Sequence, residues 1–117
     1  MEQAPGKPER GPYNARTDYE GVKRAIAQVE RGGWLRGEEQ VAAHWDEASE
    51  GQRYNSLEGA RRWLATVDPS EDVWHVVYGD GGVDRWYIHA DGSVRFSKFH
   101  ASRDGLKRAT ELGFWIE

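Results

Sequence analysis

The sequence predicts an α+β fold in which three N-terminal helices pack with a three-stranded antiparallel meander that is followed by a C-terminal helix. Three runs rich in β-forming residues lie between positions 73 and 100, and they are separated by the glycine-rich residues 79–82 and by Asp91-Gly92. Asp-Gly between two such runs is a strong hairpin signal, because these residue types accept the positive φ of a tight turn. Apolar residues at helical spacing before and after the three runs predict the helices.

The length and composition indicate one domain. A chain of 117 residues with 38% hydrophobic residues is long enough for a single core. Residues 1–16 contain three of the four prolines, so we expect a flexible tail over 1–16 and a single domain over 17–117. The sequence has no cysteine, which excludes disulfides and thiolate metal sites. No apolar run reaches the ~20 residues of a membrane span, and we expect a cytoplasmic protein with no membrane partner.

Capping and helix-stop signals define four predicted helices. Thr17 to Glu20 fit a capping box for the first helix, which Gly32-Gly33 ends. A second helix is predicted over residues 38–50, and a third begins near Asn55 or Ser56. The last helix is predicted between Ser102 and Gly113, and residues 114–116 are expected to pack onto the core or to add a short edge strand.

The Asp91-Gly92 turn also predicts a register for the last hairpin. A two-residue turn places Tyr87 opposite Phe96 and Ile88 opposite Arg95. In that register Trp86 and Ile88 face the core, whereas Tyr87 and Phe96 lie side by side on the other face. Two interpretations of the second face stay open at this point: helices cover it and make it core, or it is exposed and binds a partner.

The function first favoured is that of a small non-catalytic binding protein of the inhibitor, immunity or adaptor type. Residues 38–50 contain five carboxylates and no lysine or arginine, so a helix there would attract a basic protein partner. Trp34 lies in a glycine-rich loop and could anchor an interface. No catalytic residue, metal ligand or cofactor is predicted. The candidate partner-binding residues are Trp34, Glu38, Glu39, Asp46 and Glu47.

Nucleic-acid binding on the sheet is the alternative function. Rings that stack on bases and cations that follow phosphates are the means by which several single-strand binders work. A small ribonuclease is a third hypothesis, in which His75, His89 or His100 transfers protons while cations bind the phosphate. The candidate nucleic-acid-binding residues are Arg85, Tyr87, His89, Phe96, Lys98 and His100.

A resemblance in the order of elements accompanies this alternative. The segment from Tyr78 to Gly113 contains Trp86-Tyr87-Ile88, Asp91-Gly92, Arg95 to Phe99 and the helix that Ser102 begins. It resembles the three-strand-plus-helix DNA-binding domains of ethylene-response factors and of integrase arm domains, and this resemblance implies DNA binding through exposed sheet residues. The resemblance covers about a third of the chain and rests on topology. The chain departs from both families in its acidic net charge of −4 and in its few sheet arginines, and it is assigned to neither.

Overall fold

The computed structural model describes residues 10–30, 44–46, 51–54, 57–79 and 84–117. Within these residues the chain forms three α-helices and six strands, and a 3-10 turn over Lys98–His100 joins the fifth strand to the last helix. In chain order the elements are α1 (Tyr19–Glu30), β1 (His44–Asp46), β2 (Gly51–Tyr54), α2 (Leu57–Leu64), β3 (Trp74–Tyr78), β4 (Arg85–His89), β5 (Val94–Phe96), α3 (Arg103–Leu112) and β6 (Trp115–Ile116).

The strands form one mixed sheet in the order β1-β2-β3-β4-β5-β6. The pairs β1-β2, β3-β4 and β4-β5 are antiparallel, whereas β2-β3 and β5-β6 are parallel. Parallel neighbours need a crossover connection, and α2 and α3 provide the two crossovers. The predicted meander is therefore present as β3-β4-β5, but the predicted three-stranded antiparallel sheet is wrong because the sheet is larger and mixed. The fold class remains α+β.

The predicted helix over residues 38–50 is also wrong. Its centre, His44–Asp46, is strand β1, which pairs with β2. Strand β2 lies along the edge of β3 and pairs with it in parallel at Arg53–Val76 and Tyr54–Val77. Helix propensities differ little between ordinary residues. The hydrogen bonds that the segment gains by pairing along an otherwise open sheet edge therefore outweigh its preference for a helix. Among the described residues, two helices rather than three precede the meander.

All three helices pack on one face of the sheet, which we call the helix-facing side. The core on this side joins Ile26, Leu57 and Ala109 of the three helices to Trp86 and other fully buried sheet residues. The indole Nε1 of Trp86 donates a hydrogen bond of 2.9 Å to the buried Glu30 carboxylate. Within the described part of the chain, no helix combines the length and the apolar character that crossing a membrane requires.

The helix ends follow the capping signals of the sequence. The Ser102 hydroxyl accepts a hydrogen bond from the Gly105 amide at 3.0 Å, and Gly113 ends α3 with φ of 89°. Both features of α3 are confirmed predictions. At the start of α1, the Asp18 carboxylate accepts from the Gly21 amide at 3.0 Å, so Asp18 rather than Thr17 caps this helix. Residues 114–116 were expected to pack onto the core or to add an edge strand, and both occur: Phe114 is buried, and Trp115–Ile116 is the edge strand β6.

Residues 10–16 pack against the body, although the sequence places them in the expected tail. Tyr13 stacks on Phe114 with ring centroids 4.1 Å apart, and its hydroxyl donates to the Leu112 carbonyl at 2.9 Å. The Ala15 amide donates to the Gly92 carbonyl at 2.7 Å, and Ala15 is buried. Residues 10–16 therefore contact the body of the domain through side-chain and main-chain groups.

Asp84 connects the start of β4 to the start of α3. This residue is 5% exposed, and its Oδ1 accepts a hydrogen bond of 2.7 Å from the Ser102 amide. Asp84→Ala would leave that amide without its acceptor, so we expect the free energy of unfolding to fall by about 1–3 kcal/mol in urea denaturation. Asp84→Asn retains an acceptor oxygen and should recover part of the loss. The exposed Glu111 is the control, since Glu111→Ala should change stability by less than ~0.5 kcal/mol; equal effects at both positions would contradict the prediction.

Candidate functional site

The face of the sheet opposite the helices, which we call the outer face, carries rings and guanidinium groups. Directly opposed residues of neighbouring strands share a face. The register therefore aligns Val76, Tyr87, Arg95 and Trp115 in one row across β3, β4, β5 and β6. None of the outer-face residues belongs to the core cluster on the helix-facing side. The outer face consists of Trp74, Val76, Tyr78, Arg85, Tyr87, His89, Arg95 and Trp115.

The register of the β4-β5 hairpin differs from the predicted one by one residue. Tyr87 pairs with Arg95, and Trp86 pairs with Phe96. The turn contains three residues, 90–92, because the His89 amide bonds to the Ser93 carbonyl at 3.0 Å and Gly92 takes the left-handed conformation at φ of 93°. The predicted pairs Tyr87–Phe96 and Ile88–Arg95 are therefore wrong. A one-residue shift exchanges the two faces of a strand, so Phe96 lies in the core and Arg95 on the outer face.

Arg95 is half-buried among aromatic rings. Its guanidinium carbon lies 4.2 Å from the ring centroid of Tyr87, 5.5 Å from that of Trp115 and 5.8 Å from that of Trp74. A carboxylate, that of Glu117, lies 3.9 Å from Arg95 Nε, and the Glu117 side chain is 64% exposed. Burial lowers the pKa of Arg95, Glu117 and Tyr87 oppose that shift, and the charge of Arg10 adds a smaller lowering. Arginine nevertheless stays protonated in proteins, so the outer face contains a weakly compensated cation.

A cleft of about 530 Å³ opens beside Arg95. Arg10 contributes a second guanidinium, which lies 4.9 Å from the ring centroid of Trp115. Phe99, on the 3-10 turn, is 77% exposed, whereas His89 is almost fully buried. Aromatic rings, guanidinium groups and a hydroxyl group therefore line the same cleft. The lining consists of Arg10, Tyr87, His89, Arg95, Ser97, Phe99, His100, Trp115 and Glu117.

The histidines of the cleft differ in their surroundings. Burial lowers the pKa of His89 to about 4, and the charges of Arg95 and Arg10 contribute to the same shift. His89 is therefore neutral at pH 7, and its Nε2 accepts a hydrogen bond of 3.4 Å from Arg95 Nε. His100 is exposed, with its Nδ1 3.0 Å from the Ser97 hydroxyl. The third histidine of the ribonuclease hypothesis, His75, lies on the helix-facing side. There its ring stacks on that of Trp63, with the ring centroids 3.7 Å apart.

The outer face brings together part of the predicted nucleic-acid-binding set. Arg85, Tyr87 and His89 lie on it, and Lys98 and His100 are exposed on the adjoining 3-10 turn. Phe96 does not lie on the outer face. It is fully buried, and its ring centroid is 4.4 Å from that of Trp86. Sequence reasoning left four further members of the outer face and its cleft out of that set, although two of them are among the six tryptophans of the chain. The missed residues are Arg10, Trp74, Arg95 and Trp115.

Most of the predicted protein-binding set lies outside the described residues. Trp34, Glu38, Glu39 and Glu47 belong to this group. Asp46 is the last residue of β1. Because His44–Asp46 is a strand, Asp46 does not lie on the acidic helix that the sequence predicted.

Comparison with known proteins adds no relative: no family model, no curated protein and no solved structure matches the chain. The resemblance of the meander and α3 to DNA-binding domains therefore remains one of element order. Among the described residues, no group of three His, Cys, Asp or Glu side chains is placed to hold a metal ion. The chemistry of the outer face is the observation from which a function can be proposed.

Proposed function

We propose that this protein is a non-catalytic binding module that holds a single-stranded nucleic acid against the outer face of its sheet. The observation that carries the proposal is Arg95, a half-buried cation placed between aromatic rings beside a cleft that contains a second cation, Arg10. Rings and cations in alternation are the arrangement that single-stranded nucleic acids need, since the rings stack on bases and the cations pair with phosphates.

The charge balance of the outer face favours an anionic ligand. A cation that is removed from water is costly unless it is paired, and an exposed carboxylate at 3.9 Å compensates Arg95 only weakly. Burial is the main cause of the lowered pKa values of Arg95 and His89, and repulsion from Arg10, which is itself paired with Asp91 at 3.1 Å, contributes to both. A phosphate placed between the two guanidinium groups would relieve that repulsion.

Hydrogen-bond donors on the same face point to the same class of ligand. The Nε atoms of Arg10 and Arg85 are buried and have no hydrogen-bond acceptor. Lys98 and Phe99 extend the face beyond the sheet, with the Lys98 ammonium 5.3 Å from the Phe99 ring centroid. The net charge of −4 belongs to the whole chain, whereas association with a charged polymer depends on the local field of the face that meets it.

Binding is tested with a fluorescent single-stranded oligonucleotide of about ten nucleotides, a length in the range that comparable sheet surfaces cover. We expect fluorescence anisotropy to show binding at low salt that weakens as salt is raised. Lys98→Gln should reduce the slope of the logarithm of the binding constant against the logarithm of the salt concentration by the amount that corresponds to about one phosphate contact. Lys107→Gln, an identical change at an exposed position of α3, should leave binding unchanged.

The role of Arg95 is tested with a second matched pair. Arg95→Gln removes the central cation and should weaken oligonucleotide binding by about tenfold or more, since tenfold is the lower end of the range for a charged hydrogen bond. Arg62→Gln makes the same change at an exposed position of α2, on the helix-facing side, and should have no effect. Absence of binding at low salt, or equal losses for the two variants of either pair, would contradict the proposed function.

A further inference from the structure

We infer that the cleft beside Arg95 binds one nucleotide through a terminal phosphate group, with the base on the ring of Phe99. This inference rests on the proposed function. It is narrower than that proposal, because it assigns one nucleotide to the cleft, whereas the proposed function assigns a strand to the whole outer face. Its three supports are the size of the cleft, the pair of guanidinium groups and the exposed ring at the rim.

The size of the cleft suits a single nucleotide. Its volume of about 530 Å³ lies within the ~300–1,000 Å³ of small-molecule sites. A strand that crosses the outer face would extend well beyond this volume, so the cleft can receive one unit of a strand or a free nucleotide.

The charges of the cleft favour a terminal phosphate over an internal one. Two guanidinium groups and one carboxylate, Glu117, line it, and His89 is neutral at pH 7. A phosphate monoester carries about −1.5 to −2 charge at neutral pH, whereas a phosphodiester carries a single negative charge. Arg10 is also paired with Asp91 at 3.1 Å, so Arg95, whose carboxylate partner Glu117 is exposed and 3.9 Å away, is the less compensated of the two guanidinium groups. Guanidinium groups also bind phosphate through two parallel hydrogen bonds.

The rim of the cleft supplies the contact for a base. Phe99 exposes 77% of its surface, and its ring lines the same cleft as the two guanidinium groups. A large exposed ring beside cations is the arrangement in which stacking adds to phosphate binding. The exposed His100 ring, whose Nδ1 lies 3.0 Å from the buried Ser97 hydroxyl, provides a polar group at the same opening.

The experiment is calorimetric titration of the full chain with adenosine 5′-monophosphate, adenosine and inorganic phosphate. We expect the nucleotide to bind, and adenosine, which lacks the phosphate, to bind at least about tenfold more weakly, as for the loss of a charge-assisted contact. Phe99→Ala should weaken nucleotide binding about fivefold or more, and Phe99→Tyr should restore it. Phe99 is exposed, so both variants should fold. Arg62→Gln should bind the nucleotide as the parent protein does.

A strand end and a free nucleotide share this chemistry, and an oligonucleotide with or without a 5′-phosphate separates them. Tighter binding of the phosphorylated strand than of the same strand without the phosphate assigns the cleft to strand ends, and equal binding of the two strands together with nucleotide binding assigns it to free nucleotides. Equal binding of nucleotide and adenosine would overturn the inference, and so would unchanged nucleotide binding by Phe99→Ala. Oligonucleotide binding without nucleotide binding overturns the inference and leaves the proposed function standing. Nucleotide binding without oligonucleotide binding overturns the proposed function instead.

Discussion

Replacement of Phe96 by alanine is expected to lower the free energy of unfolding by about 3–5 kcal/mol, the range found when a buried phenylalanine is truncated. Phe96 is fully buried, and its ring packs against that of Trp86 at 4.4 Å between centroids. The alanine variant would therefore lose the transfer free energy of the ring and leave a cavity beside the largest side chain of the core. Urea denaturation followed by tryptophan fluorescence measures the loss.

Phe99 provides a control that has the same chemical change. It is 77% exposed, so Phe99→Ala should alter stability by less than ~0.5 kcal/mol. The comparison also tests the register of the hairpin. In the register of a two-residue turn Phe96 would lie on the outer face, and its loss would cost far less than a core phenylalanine. Similar stabilities of the two variants would contradict the observed register.

The hairpin illustrates why a turn can be predicted while its register is not. Asp91-Gly92 is compatible with both a two-residue and a three-residue turn. Two sets of contacts favour the longer turn: the Asp91 carboxylate accepts from the Ser93 amide at 2.9 Å, and Asn14 donates from its side chain to the Asp91 carbonyl at 3.0 Å. The first contact is local and readable from the sequence as an Asx turn. The second comes from a segment 77 residues away, which no local pattern indicates.

The distinction between local contacts and contacts with distant segments also explains which of the remaining elements were predicted. Helix α3 was predicted correctly because Ser102 and Gly113 define its ends through local hydrogen bonds. Strands β1 and β2 were not predicted, since β2 depends on pairing with β3 across a helical crossover. A short strand that gains its stability from a distant neighbour has no pattern of its own that outweighs helical spacing.

The candidate site was predicted to the extent that it lies on the meander. Tyr87 and His89 alternate on β4 and were assigned to one face from the sequence. Trp115 reaches that face through the parallel pair Arg95–Trp115, and Arg10 reaches it through packing of the segment that precedes α1. Both contacts join distant parts of the chain, so the cleft could not be assembled from spacing.

Acidification between pH 6.5 and pH 4 is expected to destabilise the protein through two buried histidines. Burial lowers the pKa of His75 to about 4 from its usual 6.5, and burial also lowers that of His89 to about 4. In this pH window the unfolded chain binds protons that the folded chain does not, so the free energy of unfolding falls as the pH falls. The slope can reach about 1.4 kcal/mol per pH unit for each histidine. Below pH 4 the histidine contribution is exhausted, and a further loss comes from Asp91, whose pKa lies below 3.8.

The two histidines can be separated, because different groups surround them. The pKa of His75 is lowered by burial, whereas Arg95 and Arg10 add to the effect of burial on His89. Arg95→Gln should therefore raise the pKa of His89 in a histidine NMR titration and leave that of His75 unchanged. An anion bound between the two guanidinium groups should shift the pKa of His89 in the same direction, since it offsets the charges that lower it. A free energy of unfolding that stays constant between pH 6.5 and pH 4.5 would contradict the burial of both rings, and equal shifts of the two histidines in Arg95→Gln would contradict the placement of Arg95 beside His89.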